Sequence, residues 1–193
     1  MLCRRLSLSV FLLVTTTLPA FAHPGHGSET GAIVAGFAHP LLGLDHVLAM
    51  LAVGLWAAFL GGRAVWIVPA AFVAVMAGGF ASATAGFALP GVEPGVAGSV
   101  VLMGVLVAAA VRLPLALASG LVGVLALFHG HAHGTELSEG ALAFGIGFAS
   151  ATALLHAVGI GLGLALARRG PMRVRGVGGT TAAIGLVLLG GSL

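Results

Sequence analysis

Histidine is where this chain offers chemistry: eight histidines stand against five acids in a sequence otherwise built from apolar residues and glycine. They fall in four places. In the segment His39-Pro40-Leu41-Leu42-Gly43-Leu44-Asp45-His46, followed by Met50, an unbroken helix turning about 100° per residue would align His39, Gly43, His46 and Met50 within about 40° of one line. Pro40 suits the first turn of such a helix, which would make His39 its cap. Asp45 would sit on the flank, beside His46. An aspartate at membrane depth is expensive and points to function. It could ligate a cation, or accept a proton from His46 and fix its tautomer. The plainer alternative is a buried Asp–His hydrogen bond that only holds two helices together.

A second group is Phe128-His129-Gly130-His131-Ala132-His133-Gly134-Thr135-Glu136. An extended segment would put all three imidazoles on one side, whereas a helix would put His129 and His133 on one face and turn His131 away. Either way two or three neutral imidazoles and a carboxylate converge, a donor set suited to a divalent first-row metal. His156 stands alone with Thr152 one turn before it; by itself it reads as a packing residue, and beside the other clusters as a ligand. The fourth place is His23-Pro24-Gly25-His26. If His23 begins the mature chain, its amine and imidazole can chelate a metal, but Pro24 has no amide proton with which to extend the chelate.

The elements that position these groups belong to a membrane protein. Of 193 residues, 59% are hydrophobic and only 7% charged, where a soluble domain carries roughly a quarter charged. This excludes a soluble domain, a nucleic-acid binder or a disordered chain. The basic balance reflects a few arginines over fewer acids, not a basic patch. The single cysteine, Cys3, offers neither a disulfide framework nor a thiolate site. Residues 1–22 read as a cleavable signal peptide: Arg4 and Arg5, an apolar stretch Leu6 to Leu13 too short to span, and Ala20-Phe21-Ala22 before the cut. An uncleaved signal anchor is the alternative.

Residues 23–193 then read as one all-α domain of six transmembrane helices: Gly31–Leu60, Ala64–Ala88, Gly95–Val111, Leu113–Phe128, Gly140–Ala167 and Gly176–Leu193. With the mature N-terminus outside, Arg63, Arg112, Arg168, Arg169, Arg173 and Arg175 all fall inside, and Glu29, Glu93, Glu136 and Glu139 fall outside. Basic residues favour the cytoplasmic side, so both termini are expected on the periplasmic face of a bacterial inner membrane. By depth, His23, His26 and the 129–133 group would lie at the outer surface, His39 at the mouth, Asp45 and His46 further in, and His156 near the middle. Among 32 glycines, Gly78, Gly79, Gly145, Gly147, Gly159, Gly161 and Gly163 are expected to let helices pack closely. The sequence leaves self-association into a homo-oligomer open.

Three motifs, taken in order, resemble the HupE/UreJ family of nickel and cobalt permeases. They are His39-Pro40-x-x-Gly43-x-Asp45-His46-x-x-x-Met50, then Phe128-His129-Gly130-His131-Ala132-His133-Gly134-x-Glu136, then Gly147-Phe148-x-x-Ala151-Thr152-x-x-Leu155-His156-x-x-Gly159. The larger nickel/cobalt transporter family is echoed by Asp45-His46, but the spacing back to His39 is one residue too long to place the chain there. The resemblance implies uptake of Ni2+ or Co2+ for enzymes such as hydrogenase or urease. It carries His39, Asp45, His46, His129, His131, His133, Glu136 and His156 over as metal-pathway residues. Imidazole and carboxylate alone do not choose nickel, since such sites also suit Zn2+, Cu2+ and Co2+.

The expected mechanism is a secondary permease and not an enzyme, with the metal as cargo and no prosthetic group. No G-x-x-x-x-G-K-[ST] phosphate loop exists in a chain without lysine. Ligation needs neutral imidazole, so uptake is expected to be lost as pH falls below roughly 6.5. The rivals are a metal-binding assembly factor or sensor that moves nothing, a haem cytochrome with His46 and His156 as axial ligands, and an intramembrane hydrolase with a Ser119–His156 dyad.

Overall fold

A computed structural model of the chain describes residues 29–134 and 140–191. The signal segment, His23, His26 and Glu136 lie outside the described residues. These form seven helices: α1 (Glu29–Leu42), α2 (Leu44–Leu60), α3 (Ala64–Thr84), α4 (Val92–Ala108), α5 (Leu115–Gly134), α6 (Ala141–Ala167) and α7 (Pro171–Gly191). Among the described residues there is no strand. Four helices, α3, α5, α6 and α7, are long and apolar enough to cross a bilayer, and α1 with α2 would add a fifth if the pair is one broken crossing. The bundle is turned outward in apolar residues: Trp66, Leu142 and Val187 are 77%, 79% and 76% exposed. Such surfaces suit lipid, where only structures that satisfy their own backbone hydrogen bonds persist.

The expected first span, Gly31–Leu60, is not one helix. It breaks at Gly43, and its two halves are bent by 81°. Three local causes coincide. Pro40 removes a backbone donor in the last turn of α1. Gly43 takes an extended conformation (φ −88°, ψ 117°). Asp45 Oδ1 accepts the His46 backbone N–H at 2.8 Å, satisfying one of the unpaired amides at the start of α2. Packing gives the tertiary reason. Gly36 of α1 lies flush on the carbonyl of Phe144, whereas Gly54 of α2 lies flush on that of His156. A single straight helix could not make both contacts, one at the start of α6 and one near its middle. His39 and Pro40 therefore close α1 and do not cap a new helix.

Other boundaries also move. α3 ends at Thr84, α4 begins at Val92, and α7 begins at Pro171. The most consequential is α5, which continues to Gly134 and takes the whole His129–His133 group into the bundle. These imidazoles are consequently buried, at 0%, 4% and 9% exposure for His129, His131 and His133, and do not lie on the outer surface.

Glycine makes this burial possible. A Cβ on Gly130 would overlap the Met76 carbonyl, and one on Gly134 the Phe80 carbonyl, so α5 rests directly on the α3 backbone. Gly79, Gly147, Gly159 and Gly163 make similar approaches, but Gly78 and Gly161 face open space and Gly145 meets only the edge of Phe80. Without a hydrophobic drive between helices in lipid, such contacts carry the association. Gly130→Val is therefore expected to cost at least about 1–3 kcal/mol, the usual range for overpacking. Gly78→Val, with nothing within 4 Å, is expected to melt as wild type does in the same detergent.

The bundle has two chemically distinct ends. All six described arginines lie in the α2–α3, α4–α5 and α6–α7 connections or at the start of α7. There Arg112 sits 4.6 Å from the Phe59 ring centroid, Arg175 Nε donates to the Ala108 carbonyl at 2.8 Å, and Trp56 Nε1 donates to the Val111 carbonyl at 2.9 Å. Glu29, Asp45 and Glu93 begin α1, α2 and α4 at the opposite end.

Candidate metal site

The break at Gly43 brings the last turn of α1, the first turn of α2 and the last turns of α5 to one place. Asp45 Oδ1 meets His46 Nδ1 at 2.8 Å, and His46 Nε2 meets His133 Nε2 at 2.8 Å. His39 packs edge-on to His133, with ring centroids 4.2 Å apart, and His46 lies 4.9 Å from His129. Four imidazoles from three helices thus form one cluster, with Asp45 bound to its centre. Residues 87 positions apart in sequence are in direct contact.

Aromatic rings enclose the cluster. Phe148 of α6 lies 5.1 Å from His133 and 6.0 Å from His46, and Phe144 lies 5.7 Å from His39. Phe72 of α3 lies between two imidazoles, 5.6 Å from His129 and 5.0 Å from His156. His156 is therefore not part of the cluster but sits behind Phe72, 1% exposed, with neither ring nitrogen partnered among the described residues. Thr152, one turn earlier, turns its hydroxyl to the Met76 sulfur at 3.6 Å.

His131 leaves the group, as a helical reading of this segment requires. It faces the α3–α4 connection, where Leu89 N–H donates to its Nε2 at 3.2 Å and the Ser82 hydroxyl lies 3.4 Å from its Nδ1. An open cleft of about 860 Å³ joins the two sides. Its walls include Asp45, His46, Glu93, His131 and His133. It reaches the imidazole pair from the acidic end of the bundle.

The described side chains are not arranged as a finished cage: no three His, Cys, Asp or Glu groups among them converge closely enough to hold one metal ion. The reason is visible in the contacts. His46 spends one nitrogen on Asp45 and the other on His133, and His129 Nε2 faces the Ser99 hydroxyl. Yet two imidazole nitrogens bound at about 2.0–2.1 Å and at a right angle stand roughly 2.9 Å apart. The His46–His133 separation is already that of two neighbouring ligands. A cation bound by both atoms would displace the proton they share, which would leave the pair or move to His133 Nδ1, and each ring would turn to aim its lone pair at the ion.

The same contacts bear on the rival chemistries. Both nitrogens of His46 are engaged, so it does not stand as a free axial ligand opposite His156. Ser119 Oγ and both His156 nitrogens have no partner among the described residues, so the Ser119–His156 dyad is not formed there. Ser99 and Phe72 have no motif-like spacing to the histidines, and Phe148, though it stands in the His156 motif, shows its contacts with His46 and His133 only in the folded bundle. For Glu93 the sequence signal was an acid beside an otherwise apolar run.

These features define a multi-pass helical membrane protein with a histidine cluster enclosed in its bundle. Residues 11–188 match the family described as HupE / UreJ protein. The chain is 48% identical over 182 residues to Protein HupE of Rhizobium leguminosarum bv. viciae, covering 93% of this chain and 95% of that protein. It belongs to the HupE/UreJ family. No solved structure matches it.

Proposed function

We propose that this protein is a secondary permease that carries a divalent first-row ion, Ni2+ first and Co2+ next, inward across a bacterial inner membrane. The metal would serve maturation of enzymes such as hydrogenase or urease. The observation that carries this reading is the His46–His133 nitrogen pair at the end of a cleft open to the acidic side, with Asp45 behind it. Family membership supports the choice of metal. The distribution of arginine supports six crossings, the first made by α1 and α2 together, with both termini outside. At 17 residues, α2 and α4 are about 26 Å long, short of the roughly 30 Å hydrocarbon core but close enough to cross with local thinning.

A bare divalent ion cannot enter hydrocarbon, so side chains must replace its water in stages. His23, His26 and Glu136 are proposed as outer capture groups. Glu93 and His131 line the cleft, His46 and His133 take the ion with His39 and His129 alongside, and His156 receives it beyond Phe72. Partial sites in series bind weakly enough to release, which one closed cage would not. An inward-negative potential of 100 mV would favour entry of a divalent ion by about 4.6 kcal/mol.

Radiolabelled Ni2+ uptake into proteoliposomes tests this, with Co2+ and Zn2+ as competitors. Saturable uptake, blocked more strongly by Co2+ than by Zn2+, is the expected result. Binding of Ni2+ with no flux would overturn transport and leave a metal sensor or assembly factor in its place.

A further inference from the structure

His129 is fully buried, and its Nε2 lies 2.8 Å from the hydroxyl of Ser99 on α4, a side chain only 1% exposed itself. A serine hydroxyl has a single hydrogen to give. Here Oγ also lies 2.7 Å from the carbonyl oxygen of Val96, one turn back along α4. A carbonyl can only accept, so the hydrogen goes to Val96. The hydroxyl therefore turns a lone pair toward His129, and His129 supplies the proton from Nε2. A neutral imidazole holds one N–H, which leaves Nδ1 bare. That atom is buried and has no partner among the described residues. In the opposite assignment, Ser99 would donate to Nε2 and Nδ1 would carry the proton. A buried N–H with nothing to accept it is a rarer feature of folded proteins than an unused acceptor.

We propose that Ser99 is a positioning residue that holds His129 in its Nε2–H tautomer and so leaves Nδ1 as a free ligating nitrogen beside His46. The neighbouring contacts follow the same logic. Asp45 accepts from His46 Nδ1, so His46 Nε2 is an acceptor and His133 Nε2 must donate to it. His133 Nδ1 is then also bare, and it too is buried without a partner. Carboxylate, imidazole and hydroxyl each fix one nitrogen of a neighbour, and bare nitrogens are left on His129 and His133. Outer partners of this kind set ring orientation and basicity for metal binding. The consequence for metal affinity rests on reading the cluster as a metal site; the tautomer does not.

The test uses the full chain in lipid vesicles, labelled with 15N-histidine and free of metal. Solid-state NMR separates the two tautomers by the shift of each ring nitrogen. Wild-type His129 is expected to carry its proton on Nε2 alone. Ser99→Ala is expected to mix the tautomers and weaken Ni2+ binding by about 10–100-fold, the range for lost outer partners. In uptake the loss should fall on KM with Vmax largely kept. Ser99→Thr, which keeps the hydroxyl, should restore both tautomer and affinity. A wild-type His129 protonated on Nδ1 would overturn the proposal, even if Ser99→Ala does not fold. So would an intact Ser99→Ala with unchanged tautomer and affinity. A wild type that shows the Nε2–H tautomer but binds no Ni2+ supports the Ser99 assignment and sinks the transport reading instead.

Discussion

Alanine at His46 is expected to abolish saturable Ni2+ uptake, alanine at His133 to do the same, and the double substitution to be no worse than either alone. The expectation follows from a shared atom pair: the two Nε2 atoms are 2.8 Å apart and lie at the end of the cleft. Groups that act as one unit show strongly non-additive effects, whereas independent sites add. Each single substitution leaves one imidazole of the pair facing a gap where the second ligand would stand. Flux measured in proteoliposomes for wild type, both singles and the double gives the coupling directly. Singles that each retain a substantial fraction of uptake, with losses that multiply in the double, would show that the two imidazoles act at separate points. The shared site would then be wrong. His131→Ala provides a contrast. Its ring is bonded to the α3–α4 connection, so that variant should reduce uptake by a smaller factor and leave saturation intact.

The second large effect belongs to Asp45. Its Oδ1 accepts from both the backbone N–H and the ring Nδ1 of His46, each at 2.8 Å, while the side chain remains a third exposed to the cleft. Asp45→Asn keeps the shape and the acceptor but removes the charge that makes His46 a better donor of electrons to a metal. Ni2+ affinity is expected to fall about 10–100-fold, with uptake recovering at high Ni2+ concentration, as for other carboxylate–imidazole–metal arrangements. Asp45→Ala removes the acceptor as well, frees the His46 ring to turn, and unpairs an amide at the start of α2. It should not recover at any concentration. Dose–response curves for the two variants separate these outcomes. If Asp45→Asn were already dead at saturating Ni2+, the carboxylate would be a direct ligand and not a partner of His46.

The architecture that makes both effects possible depends on a broken helix. Had Gly31 to Leu60 stayed straight, His39 and His46 would have lined one face some two turns apart, with Asp45 on the flank. The 81° bend folds α1 over the end of α6 and places His39 over His133 and near His46. The break gives the aspartate a helix start to stabilise, and the aspartate orients the imidazole. Fold and site thus draw on the same few residues. Any variant that straightens the break, such as a helix former at Gly43, should disturb metal binding before it disturbs stability.

Much of this was determined by the sequence alone. Scarce charge and abundant apolar residues decide for lipid, because no water-facing surface of this size can be covered by eight arginines and five acids. The placement of every later arginine in or beside alternate connections gathers the basic residues at one end of the bundle. Helical periodicity separates His131 from His129 and His133 as soon as the segment is known to be helical. How far that helix runs, where the first one breaks and which atoms then meet are set by packing in the folded bundle. Nothing local extends α5 past Phe128 into a glycine- and histidine-rich stretch. Gly130 and Gly134 are poor helix formers by themselves, and the stretch stays helical because they lie directly on α3. Ser99, Phe72 and the contact that Phe148 makes with the cluster were illegible for the same reason. Each is an ordinary residue of an apolar helix, and its part is set by distances between helices that no spacing along one chain encodes.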